Sequence, residues 1–148
     1  KSTGKGTWLR QFSTPSYKSW SGFSFESVCH KHIAQIKKAL GIGGVLTEAS
    51  AWRYQPAKDG KEQGVQIDLL IDRQDRCINV CEIKFASEEF AIDIKYAAEL
   101  DKKLSVFQRA TGTKKTLFLT MVTTYGVKRN EYFTGRVIAE VMMKHLFR

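Results

Sequence analysis

Asp68, Glu82 and Lys84 are the residues whose types and spacing could do chemistry in this chain. They stand in Gln66-Ile67-Asp68-Leu69-Leu70-Ile71-Asp72 and in Asn79-Val80-Cys81-Glu82-Ile83-Lys84-Phe85. Both stretches read as strands, separated by a polar turn at Gln74-Asp75-Arg76. Strand side chains alternate with a period of two, so Asp68 is expected on one face with Gln66, Leu70 and Asp72. Glu82 and Lys84 are expected on one face with Ile78 and Val80. A three-residue turn pairs Arg73 with Cys77 and brings Asp68 opposite Glu82. Residues so opposed have Cβ atoms about 5 Å apart, and like charges there are destabilising. Two carboxylates among apolar neighbours therefore call for a counter-charge. Lys84 can supply it, which makes the trio a cross-strand ion pair. A hard divalent cation can supply more, because Mg²⁺ takes carboxylate, water and phosphate oxygens at about 2.0–2.1 Å. The residues alone leave both readings open.

The elements that must position this trio can be read from periodicity. From Ser24, an expected N-cap, Phe25, Cys29, Ile33, Ile36 and Leu40 form one apolar helical stripe, with Gly41 where a terminating glycine belongs. Glu26 falls in the first turn of that helix, where the macrodipole alone favours an acid. Residues 45–54 read as a strand ended by the loop from Gln55 to Lys61. Strands follow at 65–73 and 77–85. A second amphipathic helix starts near Asp93 with Ala97, Leu100, Leu104 and Phe107 on its stripe and Lys95, Glu99, Lys102, Lys103 and Arg109 elsewhere. Thr111-Gly112-Thr113 stops it. Residues 116–124 read as a strand buried on both faces, and 136–146 as a strand leading into a short helical turn. Residues 1–21 are expected to be an extended lead-in or linker, and 22–148 one domain. A run of strands followed by a helix and a further strand implies an α/β fold, a mixed sheet flanked by helices.

Composition sets the outer limits. Of the 148 residues, 43% are hydrophobic and 26% charged, an ordinary globular balance that excludes a disordered chain. No run of about 18 apolar residues exists, which argues against a membrane span, and the start lacks the apolar stretch of a signal peptide. Cys29, Cys77 and Cys81 are too few and irregular for a disulfide framework and suggest a reducing cytoplasm. The net charge of +9 is unevenly spread. Residues 1–40 carry seven Lys/Arg and one acid, 41–100 seven against eleven, and 101–148 ten against three. An acidic centre between basic flanks suits a polyanion-binding protein that also holds a cation, and equally a solvated basic surface. Cys29-His30-Lys31-His32 with Cys77 and Cys81 lacks the tight paired spacing of a zinc site. Ser2-Thr3-Gly4-Lys5-Gly6 fails the spacing of a phosphate-binding loop. Trp8, Trp20 and Trp52 could stack on bases.

Asp68, thirteen intervening residues and Glu82-Ile83-Lys84 resemble the signature of the PD-(D/E)XK nuclease superfamily. Glu26, within Gly22-Phe-Ser-Phe-Glu26, matches the upstream acid those enzymes often carry on their first helix. Ile67 replaces the Pro that names the motif. Trp20-Ser-Gly-Phe-Ser-Phe-Glu26, Gln66-Ile-Asp68-Leu-Leu-Ile-Asp72 and Thr123-Thr-Tyr-Gly126 resemble the nuclease-like domain at the C-terminus of certain prokaryotic AAA-type ATPases. The likeness covers about residues 22–141. It implies a restriction-endonuclease-like sheet with an α-β-β-β-α-β core, DNA as partner, and an ATPase module in the same or a partner chain. It also implies Mg²⁺, with Mn²⁺ as a substitute, on Asp68, Glu82, the main-chain carbonyl of Ile83 and Glu26. Lys84 would orient the attacking water, Gln66 would bond near the scissile group, and Lys95, Lys102, Lys128 and Arg129 would contact phosphates. Some superfamily members keep the fold and lose catalysis. The second expectation is therefore an inactive nucleic-acid-binding or protein-interaction module, and the third a stand-alone dimeric junction-resolving nuclease.

Overall fold

The computed structural model describes residues 15–57 and 64–147. The expected lead-in up to residue 14, with Trp8, and the loop residues 58–61 lie outside them. The described elements are α1 (Pro15–Lys31), α2 (Ile33–Ala39), β1 (Thr47–Tyr54), β2 (Val65–Arg73) and β3 (Cys77–Lys84). They continue with α3 (Ile94–Thr111), β4 (Thr116–Thr123), β5 (Ala139–Met142) and a 3₁₀ turn, Met143–Phe147. The strands form one mixed sheet in the order β1-β2-β3-β4-β5. β1, β2 and β3 are antiparallel neighbours, whereas β3, β4 and β5 run parallel. α3 is the crossover between parallel β3 and β4, as such a pairing requires.

Alternation along β3 assigns the two faces. Cys81 and Ile83 pack with Phe25, Cys29 and Ile36 of α1 and α2. Ile78 and Val80 face the other way, against Phe107 and Leu104 of α3. Leu100 and Ala97 extend that second layer over Leu119 and Met121 of β4. Helices thus cover both faces of the central strands, which explains the near-continuous apolar runs in β3 and β4.

The strands β2, β3 and β4 and the strand-then-turn at the C-terminus lie where the sequence places them. The first helix does not. It begins at Pro15, so residues 15–21 are helical and not an extended lead-in. Ser24 lies within the helix and caps nothing. Proline suits a first helical turn because its missing N–H has no partner there anyway. The early turns carry Gly22 and no apolar stripe, and Trp20 and Phe23 are 64% and 74% exposed. That is why periodicity alone starts the helix too late.

The helix also breaks once. His32 takes φ −125° and ψ 37°, outside the helical region. Its Nδ1 donates to the Val28 carbonyl at 2.7 Å, and its backbone N–H reaches only to Cys29 at 3.0 Å. The apolar stripe survives the break, since Cys29 and Ile36 are both fully buried.

α3 begins where the Asp93 carboxylate accepts the Tyr96 backbone N–H at 2.7 Å. It ends at Gly112, whose φ of 65° is left-handed and suits glycine. Asp93→Ala should cost about 1 kcal/mol in urea-induced unfolding, the usual value of an N-cap, and Asp93→Asn should retain most of it.

Candidate active site

The position of Asp68 is set by an irregularity between β1 and β2. Ser50 pairs with Leu70 but Trp52 pairs with Ile67, so Ala51 faces both Asp68 and Leu69. This is a β-bulge, which adds a residue to one strand and re-aims the side chains beside it. It breaks the alternation expected across Gln66, Asp68 and Leu70, because Ile67 and Leu70 now join the same apolar cluster.

The register of β2 and β3 runs from Asp72↔Ile78 to Leu69↔Cys81. The pairing stops there, one step short of the Asp68–Glu82 pair that the three-residue turn implied. Side chains take over from the ladder there. The Ile83 N–H donates to Asp68 Oδ2 at 2.8 Å, and the Asp68 N–H reaches Glu82 Oε2 at 3.4 Å. The Asp68 carbonyl accepts from His30 Nε2 of α1 at 2.9 Å.

Glu82 is 1% exposed. Burial and the charge of Asp68 push its carboxyl pKa up, against the pull of Lys103. The counter-charge comes from α3 and not from its own strand: Lys103 Nζ stands 2.5 Å from Glu82 Oε1. Lys84 instead places its ammonium over the Tyr96 ring, 4.7 Å from the centroid. The Tyr96 hydroxyl is buried near Glu82, and the charges of Glu82 and Asp68 reinforce the burial that raises its pKa.

Glu26 is not a first-turn acid, because α1 starts eleven residues earlier. The macrodipole therefore does not account for it. Its pKa is raised by burial and then by the charge of Asp68, while His30 one turn along opposes both. Glu26, Asp68 and Glu82 thus share one electrostatic neighbourhood. Among the described residues no three His, Cys, Asp or Glu side chains form a metal-enclosing group. The neighbouring acids Asp68 and Glu82 offer hard carboxylate oxygens, which would suit Mg²⁺ held by two carboxylates with water and substrate completing its shell. The thiols do not compete. Burial, with Glu26 and Asp68 adding to it, pushes Cys29 up to about 12, and Cys81 is raised further, chiefly by burial.

The other expected contacts are scattered. Gln66 accepts from Arg53 Nη2 at 3.3 Å across β1 and β2. Lys95 and Lys102 are exposed on α3, and Lys128 is exposed beyond β4. Arg129 is engaged: it meets Glu140 at 2.6 Å and stacks over Phe133 at 4.2 Å. A phosphate would have to break that pairing.

Sequence reasoning missed the roles of His30, Tyr96 and Lys103. Tyr96 and Lys103 are seven residues apart, two helical turns, so they lie near one face of α3. That spacing was the available signal. Comparison with protein-family models, with curated proteins and with solved structures finds no match to the chain.

A raised carboxyl binds its proton more tightly in the folded than in the unfolded chain. Its contribution to stability is therefore most favourable below the ordinary glutamate value and is lost as pH rises through the raised one. Denaturation midpoints measured from pH 4 to 8 should show wild type losing stability relative to Glu82→Gln as pH rises. A difference independent of pH would contradict this account of Glu82.

Proposed function

We propose that this protein is a Mg²⁺-dependent nuclease of the PD-(D/E)XK type that hydrolyses DNA phosphodiester bonds. In this reading it is the C-terminal part of a larger ATPase-containing protein and works in the cytoplasm. The observation that carries it is the Asp68–Glu82 pair where the β2–β3 pairing ends, with Lys103 held on Glu82. The strand pattern supports it too: antiparallel β1-β2-β3, then α3, then parallel β4, is the core expected from the motif resemblance.

Asp68, Glu82 and the Ile83 main-chain carbonyl would hold the metal, with Glu26 acting directly or through a water. When bound, Mg²⁺ or Mn²⁺ makes a bound water more acidic and offsets charge gathering on the phosphorus. The protein supplies the rest. The Ile83 N–H fixes Asp68 Oδ2, so the carboxylate does not have to be ordered when substrate arrives. Tyr96 restrains the Lys84 ammonium through its ring face, and in this reading Lys84 would orient the attacking water and stabilise negative charge in the transition state. Lys95, Lys102 and Lys128 are exposed candidates for phosphate contacts along the backbone, and their effect would be salt-dependent.

The Lys103–Glu82 ion pair favours a second reading. A site whose buried acid is already neutralised also suits a non-catalytic DNA-binding or protein-interaction module on the same fold. The two readings separate in one experiment with plasmid and linear duplex DNA. Wild type should cut in Mg²⁺ and stop with chelator, and Asp68→Ala or Glu82→Ala should each lose activity about a hundred-fold or more. Equal cleavage by all three proteins overturns the nuclease reading. Salt-dependent DNA binding without cleavage by any of them favours the module.

A further inference from the structure

We propose that Lys103 is the resident counter-cation of this site, which a divalent ion must displace from Glu82 in order to bind; this rests on the metal-site reading above. Glu82 is sealed from solvent, and both of its oxygens are engaged. Oε1 meets Lys103 Nζ at 2.5 Å, and Oε2 faces the Asp68 N–H at 3.4 Å. An ion seated between Asp68 and Glu82 competes with Lys103 for the Glu82 carboxylate, because two cations held on one buried carboxylate repel each other. Lys103 can release it. Its side chain is 23% exposed, against 1% for Glu82, and a lysine stem is long and flexible. Lys84 has a different setting, with its ammonium over the Tyr96 ring.

The competition has a simple arithmetic. If only a fraction of molecules presents Glu82 unpaired, the apparent dissociation constant rises by the inverse of that fraction. A pair closed nine-tenths of the time weakens metal binding about ten-fold. The ammonium set free is then beside the acids, where a phosphate oxygen would give it a new partner.

The test is calorimetric titration of Mn²⁺ into wild type, Lys103→Met and Glu82→Gln at pH 8, each first shown to be folded by circular dichroism. Lys103→Met should bind Mn²⁺ about ten-fold more tightly than wild type, and Glu82→Gln should bind more weakly. Equal or weaker binding by Lys103→Met, with Glu82→Gln impaired, overturns the role of Lys103 and leaves the metal site standing. No binding by any of the proteins, with or without duplex DNA, overturns both.

Should Lys103→Met fail to fold, wild type carries the test. The ¹⁵N resonance of the Lys103 ammonium should move toward that of an exposed lysine as Mg²⁺ is added. An unchanged resonance at metal saturation overturns the proposal.

Discussion

The structure around the site depends on one electrostatic constraint: Asp68 and Glu82 are neighbouring acids, and Glu82 is removed from water. A carboxylate as buried as Glu82 is costly unless it is paired or protonated. The fold answers with donors from three directions. The Ile83 and Asp68 backbone N–H groups serve the two carboxylates from within the sheet, and His30 of α1 takes the Asp68 carbonyl. Lys103 reaches down from α3 to Glu82. Elements on both faces of the sheet must therefore be docked before the site is complete.

The β-bulge makes this arrangement possible. In an uninterrupted ladder, main-chain partners would satisfy Ile83 and Asp68, and the Asp68 side chain would stand off the sheet. The extra residue opposite Ala51 shifts the phase, so Ile67 and Leu70 share a cluster while Leu69 and Ile71 face α1 and α2. The ladder ends early and Asp68 turns its carboxylate toward β3. Below the bulge the core is conventional. Cys81 and Val122 fill one face and Val80 and Leu119 the other, and they hold β3 and β4 in the parallel register on which Glu82 depends.

Much of this was legible in the residues. β2 and β3 announce themselves by apolar runs on either side of Gln74-Asp75-Arg76, and the turn length brings Asp68 beside Glu82. Asp93 and Gly112 mark the two ends of α3 through local chemistry, a capping carboxylate and a left-handed glycine. The start of α1 was not legible, because Trp20 and Phe23 point outward and Gly22 weakens local helical preference. The break at His32 was hidden for a related reason: the stripe through Cys29 and Ile36 continues across it.

By itself, then, the sequence determined the strands β2 to β4, the extent of α3, the proximity of Asp68 and Glu82, and the need for a positive charge between them. These follow from neighbours along the chain or across a short turn. Only the tertiary structure decided which cation answers that need. Lys84 is two residues from Glu82 and Lys103 is twenty-one away, yet the helix docked over β3 brings the distant ammonium to the carboxylate while the near one rests on an aromatic ring. Sequence proximity and strand alternation cannot resolve that choice, because it turns on how α3 packs across the sheet.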